Sequence, residues 1–180
     1  MSQTFHKLYQ KRLARGEWRD KPRPILINNW EATYFDFDTD KLLAIAKSAA
    51  EHGIEMLVMD DGWFGNRDDD SSSLGDWYVN KKKLPNGLKG ICDKINALGM
   101  SFGIWVEPEM LNVNSDLYRL HPDWAMDIPG CAHSEGRNQR ILDLCNPEVT
   151  EYIIDSMTKV FSSANIDLSL IHISEPTRRS

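Results

Sequence analysis

Cysteine is scarce: the three thiols Cys92, Cys131 and Cys145 are odd in number and widely spaced. Such a set excludes a disulfide framework and a zinc knuckle and fits a reducing compartment. Basic residues are outnumbered, 21 Lys and Arg against 27 Asp and Glu for a formal net charge of -6. They are also scattered, so no phosphate-tracking face and no nucleic-acid partner is expected. No apolar run approaches the ~20 residues that span a bilayer, and no apolar signal core follows the first charges. The expectation is a cytoplasmic chain with no membrane partner. The five histidines show no metal-ligand spacing, and neither a GxGxxG nor a P-loop follows the first apolar run. That counts against a nucleotide-binding doubly wound sheet.

What is present suits one folded domain: 180 residues with 41% apolar and 27% charged side chains can bury a core. Residues 1–23 are polar and basic, with Phe5, Leu8, Tyr9 and Leu13 spaced for a short amphipathic helix, a lead-in segment. The run Pro24 to Trp30 reads as a strand buried on both faces whose tip turns polar. Thr39 suits the cap of a helix with Leu42, Leu43, Ile45, Ala46, Ala49 and Ala50 on one face, closed by Gly53. Met56 to Met59 reads as a second strand ending in Asp60-Asp61-Gly62-Trp63-Phe64. A helix through Leu88, Ile91, Cys92, Ile95 and Leu98 precedes a third strand, Ser101 to Val106, ending in Glu107-Pro108-Glu109. A long insertion holds a short helix at Asp116 to Leu120, and Arg140 to Leu144 looks extended. Asn146 and Pro147 then open a helix reaching Phe161. This order predicts a parallel α/β sheet, and polar groups at three strand ends favour a TIM-type barrel.

The strand ends carry the candidate chemistry. Asp60 and Asp61 serve one ligand only if the chain turns at Gly62, a geometry that could hold two hydroxyls of a sugar. With Glu107, Glu109 and Asp143 they suit acid-base chemistry, hydroxyl binding or a hard divalent cation, and spacing does not separate these. Trp30, Trp63 and Trp105 at or beside strand ends point to sugar stacking, and Arg137 offers a fork of donors. The acidic, serine-rich run Arg67 to Ser73 reads as a solvent-exposed loop.

Asn28-Asn29-Trp30-Glu31-Ala32-Thr33-Tyr34, Asp60 to Gly65, Leu74-Gly75-Asp76-Trp77, Leu84-Pro85-Asn86-Gly87-Leu88, Trp105 to Met110, His121-Pro122-Asp123-Trp124 and Gly136-Arg137-Asn138-Gln139 together resemble the retaining α-galactosidases of glycoside hydrolase family thirty-six. The likeness runs from about Phe5 to Asp167. It implies the N-terminal part, about three βα units, of a TIM (β/α)8 barrel, cleaving terminal α-linked galactose as in melibiose or raffinose. It implies no metal or organic cofactor and a homo-oligomeric full-length parent. In that family the residue matching Trp30 packs on the sugar, those matching Asp60 and Asp61 bind its hydroxyls, and those matching Trp105 and Arg137 line the same pocket.

The family's two catalytic aspartates lie on later strands, the nucleophile in a segment resembling Asn-Ile-Asp-Tyr-Ile-Lys-Trp-Asp-Met-Asn. Here Asn165-Ile166-Asp167 is followed by Leu168-Ser169-Leu170-Ile171-His172, with His172 in the nucleophile's place. Leu168 to Arg178 resembles translated sequencing adapter. The expected organisation is therefore a lead-in at 1–23, a partial catalytic barrel at 24–167 and a non-native tail at 168–180. No catalytic residue is assigned to this chain, and by itself it should be inactive. Alternatives are an α-N-acetylgalactosaminidase of the same clan, a metal-dependent sugar-converting barrel enzyme using Asp60, Asp61, Glu107 and Glu109 as ligands, and a non-catalytic sugar-binding module.

Overall fold

The computed structural model describes residues 2–131 and 135–171. The strands are β1 (Leu26–Asn28), β2 (Met56–Met59), β3 (Ser101–Val106), β4 (Met110–Asn112), β5 (Gln139–Ile141) and β6 (Leu168–Ile171). The helices are α1 (Ser2–Arg12), α2 (Trp30–Thr33), α3 (Thr39–Glu51), α4 (Gly87–Asn96), α5 (Asp116–Leu120) and α6 (Pro147–Ser162). His172 and the rest of 172–180 lie outside the described residues.

β1, β2, β3 and β6 form one parallel sheet in that spatial order, with Ile27 opposite Leu57, Leu57 opposite Phe102 and Gly103 opposite Leu168. All four residues of β2 and all but the first of β3 are buried, as their unbroken apolar runs require. β1 departs from expectation. It is only three residues long, and Leu26 is 46% exposed because β1 is an edge strand with a neighbour on one side. Trp30 does not extend it: the Asn28 Oδ1 atom accepts from the Trp30 backbone N–H at 2.7 Å, and the chain turns into α2 there.

α3 and α4 supply the crossovers. Leu42, Ala46 and Ala49 of α3, with Leu88, Ile91, Cys92 and Ile95 of α4, bury the expected faces in one core with Leu57, Met59, Phe102 and Ile104. Each fully buried Leu, Ile, Phe or Met side chain among them contributes roughly 1.5–3 kcal/mol. The cap of α3 is Asp38 and not Thr39. Asp38 has extended backbone and accepts from the Lys41 N–H, while the Thr39 hydroxyl donates to the Lys83 carbonyl. Asn146 caps α6 as expected, accepting from the Glu148 N–H at 3.0 Å. The long insertion is not structureless, since β4 and β5 form an antiparallel ribbon over a smaller core of Leu111, Leu117, Trp124, Leu142 and Val149. α1 forms, but it buries none of its residues.

Leu168–Ile171, expected to be non-native tail, makes the fourth strand. It seats closely because β3 carries Gly103 at the contact, where a Cβ would lie 3.1 Å from Val58 Cγ2 and 3.3 Å from Leu168 Cβ. The sheet then ends at β1 on one side and β6 on the other, where Leu170 and Ile171 are 41% and 49% exposed. Open parallel edges flanked by apolar side chains template association. The chain expressed alone should therefore collect in the insoluble fraction; a monodisperse, soluble monomer on gel filtration would contradict this.

Candidate functional site

β2 delivers Asp60 and Asp61 to the carboxyl end of the sheet, and the chain then turns at Gly62, whose φ is +104°. A Cβ there would meet Phe35 Cδ1 at 3.1 Å and Phe37 Cε1 at 3.3 Å, so the turn has both a conformational and a steric need for glycine. The Asp60 backbone N–H donates to Asn29 Oδ1 at 2.8 Å. Its Oδ1 accepts from the Asp61 N–H at 2.8 Å, and its Oδ2 accepts from Asn28 Nδ2. Asn28 thus links the Asp60 carboxylate to the start of the helix that carries Trp30.

Asp61 is held differently. Arg67 grips it with a two-pronged fork, Nε to Oδ1 at 2.5 Å and Nη2 to Oδ2 at 2.8 Å, with neither side chain more than 4% exposed. Burial pushes the Asp61 carboxyl above its ordinary range, and the guanidinium opposes that rise. Arg67 was expected on a solvated loop; it is instead fully buried, and Ser72 and Ser73 are buried with it. Its remaining Nη1 donates to the Ser72 carbonyl at 2.8 Å and to Asn112 Oδ1 at 2.9 Å. Tertiary packing gives the reason: Asn112 ends β4, which packs over this loop and brings an acceptor to the one part of the guanidinium that Asp61 leaves unused.

Trp30, Asp60, Asp61, Trp105 and Arg137, with Leu170 of β6, line one hollow of about 180 Å³. That is below the ~300–1,000 Å³ of drug-sized pockets and suits a small polar ring. Every residue expected to bind substrate is therefore brought together. The Trp30 indole is braced edge-on by Tyr34 at 5.2 Å and Phe35 at 5.1 Å. Trp105 is parallel to Phe64, with ring centroids 6.2 Å apart. Arg137 and Asn138 both have positive φ, 54° and 58°, between bridged Gly136 and Gln139. This is the backbone of a tight hairpin turn, and Asn112 Nδ2 pins it by donating to the Asn138 carbonyl at 2.7 Å.

Other strand-end candidates do not reach the hollow. Trp63 is fully buried in the core, its Nε1 donating to the Trp105 carbonyl at 2.9 Å, so it packs and does not stack on a ligand. Asp143 accepts from the Cys145 N–H in the turn before α6. Glu107 is buried beside Arg137 and Gln139; Gln139 Nε2 donates to its Oε2 at 3.0 Å, and its Oε1 has no partner. Burial raises the Glu107 carboxyl to about 7, outweighing the opposing pull of Arg137. Among the described residues no group of three His, Cys, Asp or Glu side chains is gathered as a metal site. Sequence reasoning assigned no role to Asn28, Asn29, Arg67, Asn112 or Gln139, because each contact is set by tertiary packing across 6 to 45 positions.

Comparison with known proteins places this geometry in context. The Melibiase family model matches residues 1–171. An α-galactosidase, AgaA, of Geobacillus stearothermophilus is 60% identical over 166 residues, covering 92% of this chain and 23% of that protein. Mel36A of Lactobacillus acidophilus is 52% identical over 167 residues, covering 93% and 23%. The crystal structure of the Geobacillus AgaA superposes with a TM-score of 0.90 at 59% identity, over 94% of this chain and 24% of that one. An AgaA variant has been solved in complex with raffinose and another in complex with 1-deoxygalactonojirimycin. The chain spans about a quarter of the length of the relatives it matches.

Glu107 generates a pH prediction. Its carboxyl titrates near 4.5 in an unfolded chain and near 7 when folded, so between those values the folded protein keeps a proton that the unfolded chain has lost. This contribution to stability is full below about 4.5, declines as pH rises to about 7 and is level beyond. Glu107→Gln should remove that decline, so the gap in thermal midpoint between variant and parent should change between pH 4.5 and 7 in a full-length protein carrying this segment. A gap independent of pH would show that Glu107 titrates normally.

Proposed function

The chain belongs to the Melibiase family, and from that premise we propose that it is a piece of the catalytic domain of an α-galactosidase. In this reading residues 24–167 are the first three βα units of a (β/α)8 barrel, 1–23 lead into it, and 168–180 are a non-native tail whose first four residues nonetheless pair with β3 as β6. The full enzyme hydrolyses terminal α-galactosyl residues of oligosaccharides such as melibiose and raffinose, in the cytoplasm and as a homo-oligomer. The observation that supports it best is the single hollow lined by Trp30, Asp60, Asp61, Trp105 and Arg137.

The division of labour follows from chemistry. Indole faces suit the apolar C–H face of a pyranose, while acceptor-only carboxylates suit its hydroxyl donors. Arg137 supplies donors for hydroxyl oxygens on the opposite side. Asp60 and Asp61 already have both oxygens engaged by Asn28, the Asp61 N–H and Arg67. Such carboxylates are held to recognise and not to attack. Retaining hydrolysis needs two further carboxyl groups ~5–5.5 Å apart across the anomeric bond. We place both on the part of the enzyme beyond Asp167. Leu170 contributes only apolar surface to the hollow.

The full-length protein read from the uninterrupted gene should hydrolyse p-nitrophenyl α-galactoside, and the 180-residue chain should not. A hydrogen bond to a charged acceptor is worth ~1.5–3 kcal/mol. Asp60→Asn in the full-length protein should accordingly lower kcat/KM by about 10- to 150-fold. Turnover by the short chain, or a full-length protein inert towards α-galactosides, would overturn the reading.

A further inference from the structure

We propose that Arg67, a residue that does not line the hollow, is the positioning residue that sets the acceptor pattern of Asp61 towards substrate and, through Asn112, ties Asp61 to the turn bearing Arg137. This rests on the reading of the hollow as a galactose site.

The fork from Arg67 engages both Asp61 oxygens from behind, at 2.5 and 2.8 Å. Each carboxylate oxygen has a second lone pair, and with the Gly62 N–H also bonded to the carboxylate Asp61 keeps at least one fixed acceptor for a ligand hydroxyl. Arg67 has no freedom to choose another geometry: it is fully buried, its Nη1 is shared between the Ser72 carbonyl and Asn112 Oδ1, and it lies over the rings of Phe35 and Phe64 at 5.6 and 5.7 Å. Lys83 holds the same loop by donating to the carbonyls of Phe35, Gly62 and Arg67 at 2.9 to 3.0 Å. Asn112 completes four side-chain hydrogen bonds, accepting from Arg67 and the Leu74 N–H and donating to the carbonyls of Asp70 and Asn138. The carboxylate at one side of the hollow and the guanidinium turn at the other are thus connected by two side chains, Arg67 and Asn112.

The charged groups that act on Asp61 are Asp60 beside it and Arg67 behind it; Arg137 lines the same hollow, and Glu107, buried beside Arg137, also feels the Arg67 charge. Removing the guanidinium leaves desolvation and the Asp60 charge, both of which favour the protonated acid, opposed only by the hydrogen bond from the Gly62 N–H. A protonated Asp61 loses one acceptor and gains a donor, so it mismatches the hydroxyls it should bind.

The test uses the full-length protein and p-nitrophenyl α-galactoside. Arg67→Met keeps the bulk and removes the charge and the fork; Arg67→Lys keeps the charge and removes the fork. Both should raise KM by about tenfold or more. In Arg67→Met the acid limb of kcat/KM should move to higher pH, while Arg67→Lys should leave that limb near the parent's. The double variant Arg67→Met with Asp61→Asn, in which the carboxylate and its partner cation are both gone, should differ in KM from Asp61→Asn alone by less than threefold. An unmoved acid limb in Arg67→Met, or an equal rise of KM in the Asp61→Asn background, would overturn the proposal even though the parent is active. If Arg67→Met does not fold, the Asp61→Asn pair and Arg67→Lys still decide it. An inactive parent would instead refute the galactosidase reading.

Discussion

A carboxylate that stays charged when buried needs compensation, and Asp61 finds it in Arg67, the opposite charge buried against it. The cost of desolvating both groups is repaid only by good geometry and by satisfaction of every remaining donor. Here the guanidinium meets that demand with two bonds to Asp61, one to the Ser72 carbonyl and one to Asn112. The loop from Gly62 to Ser73, the end of β4 and the turn at Arg137 are all arranged around this one pair.

The sheet explains why such a pair can exist at this place. Parallel strands buried on both faces end together, and their carboxyl ends open onto a common surface from which loops emerge. The turn after β1 brings Trp30, the end of β2 brings Asp60 and Asp61, and β3 brings Trp105, all lining one hollow. Rigidity below, from the core of α3 and α4 against β2 and β3, allows polar groups above to be held with little freedom. Asp60, engaged by Asn28 and by the Asp61 N–H, shows the same design as Asp61 with neutral donors in place of a cation.

Much of this was legible in the chain. Met56–Met59 and Ser101–Val106 are continuous apolar runs, and both are strands with those bounds. Asn146-Pro147 carries its own helix signal. The five residues that line the hollow with Leu170 were legible as candidates because four of them lie at or beside strand ends rich in aromatic and acidic neighbours, and the family resemblance named the same positions. What failed had no local signature. Arg67 sits in a run of Asp and Ser that looks solvated, and only contact with β4, 45 residues on, shows it to be interior. Trp63 and Trp105 look alike in sequence, yet one fills the core and the other reaches the hollow. Asp38 and Thr39 are both good caps, and the choice fell to Asp38 because Lys83 engages the Thr39 hydroxyl. The strand at Leu168–Ile171 depends on a vacancy beside Gly103, which no local pattern reveals.

The most direct measurement is a crystal structure of the full-length protein with galactose bound. The account requires the sugar to lie against Trp30, with hydroxyl oxygens within about 2.6–3.2 Å of both Asp60 and Asp61 and the Arg67 fork still closed on Asp61. Galactose bound elsewhere, or an Asp61 released from Arg67 to reach it, would contradict the account.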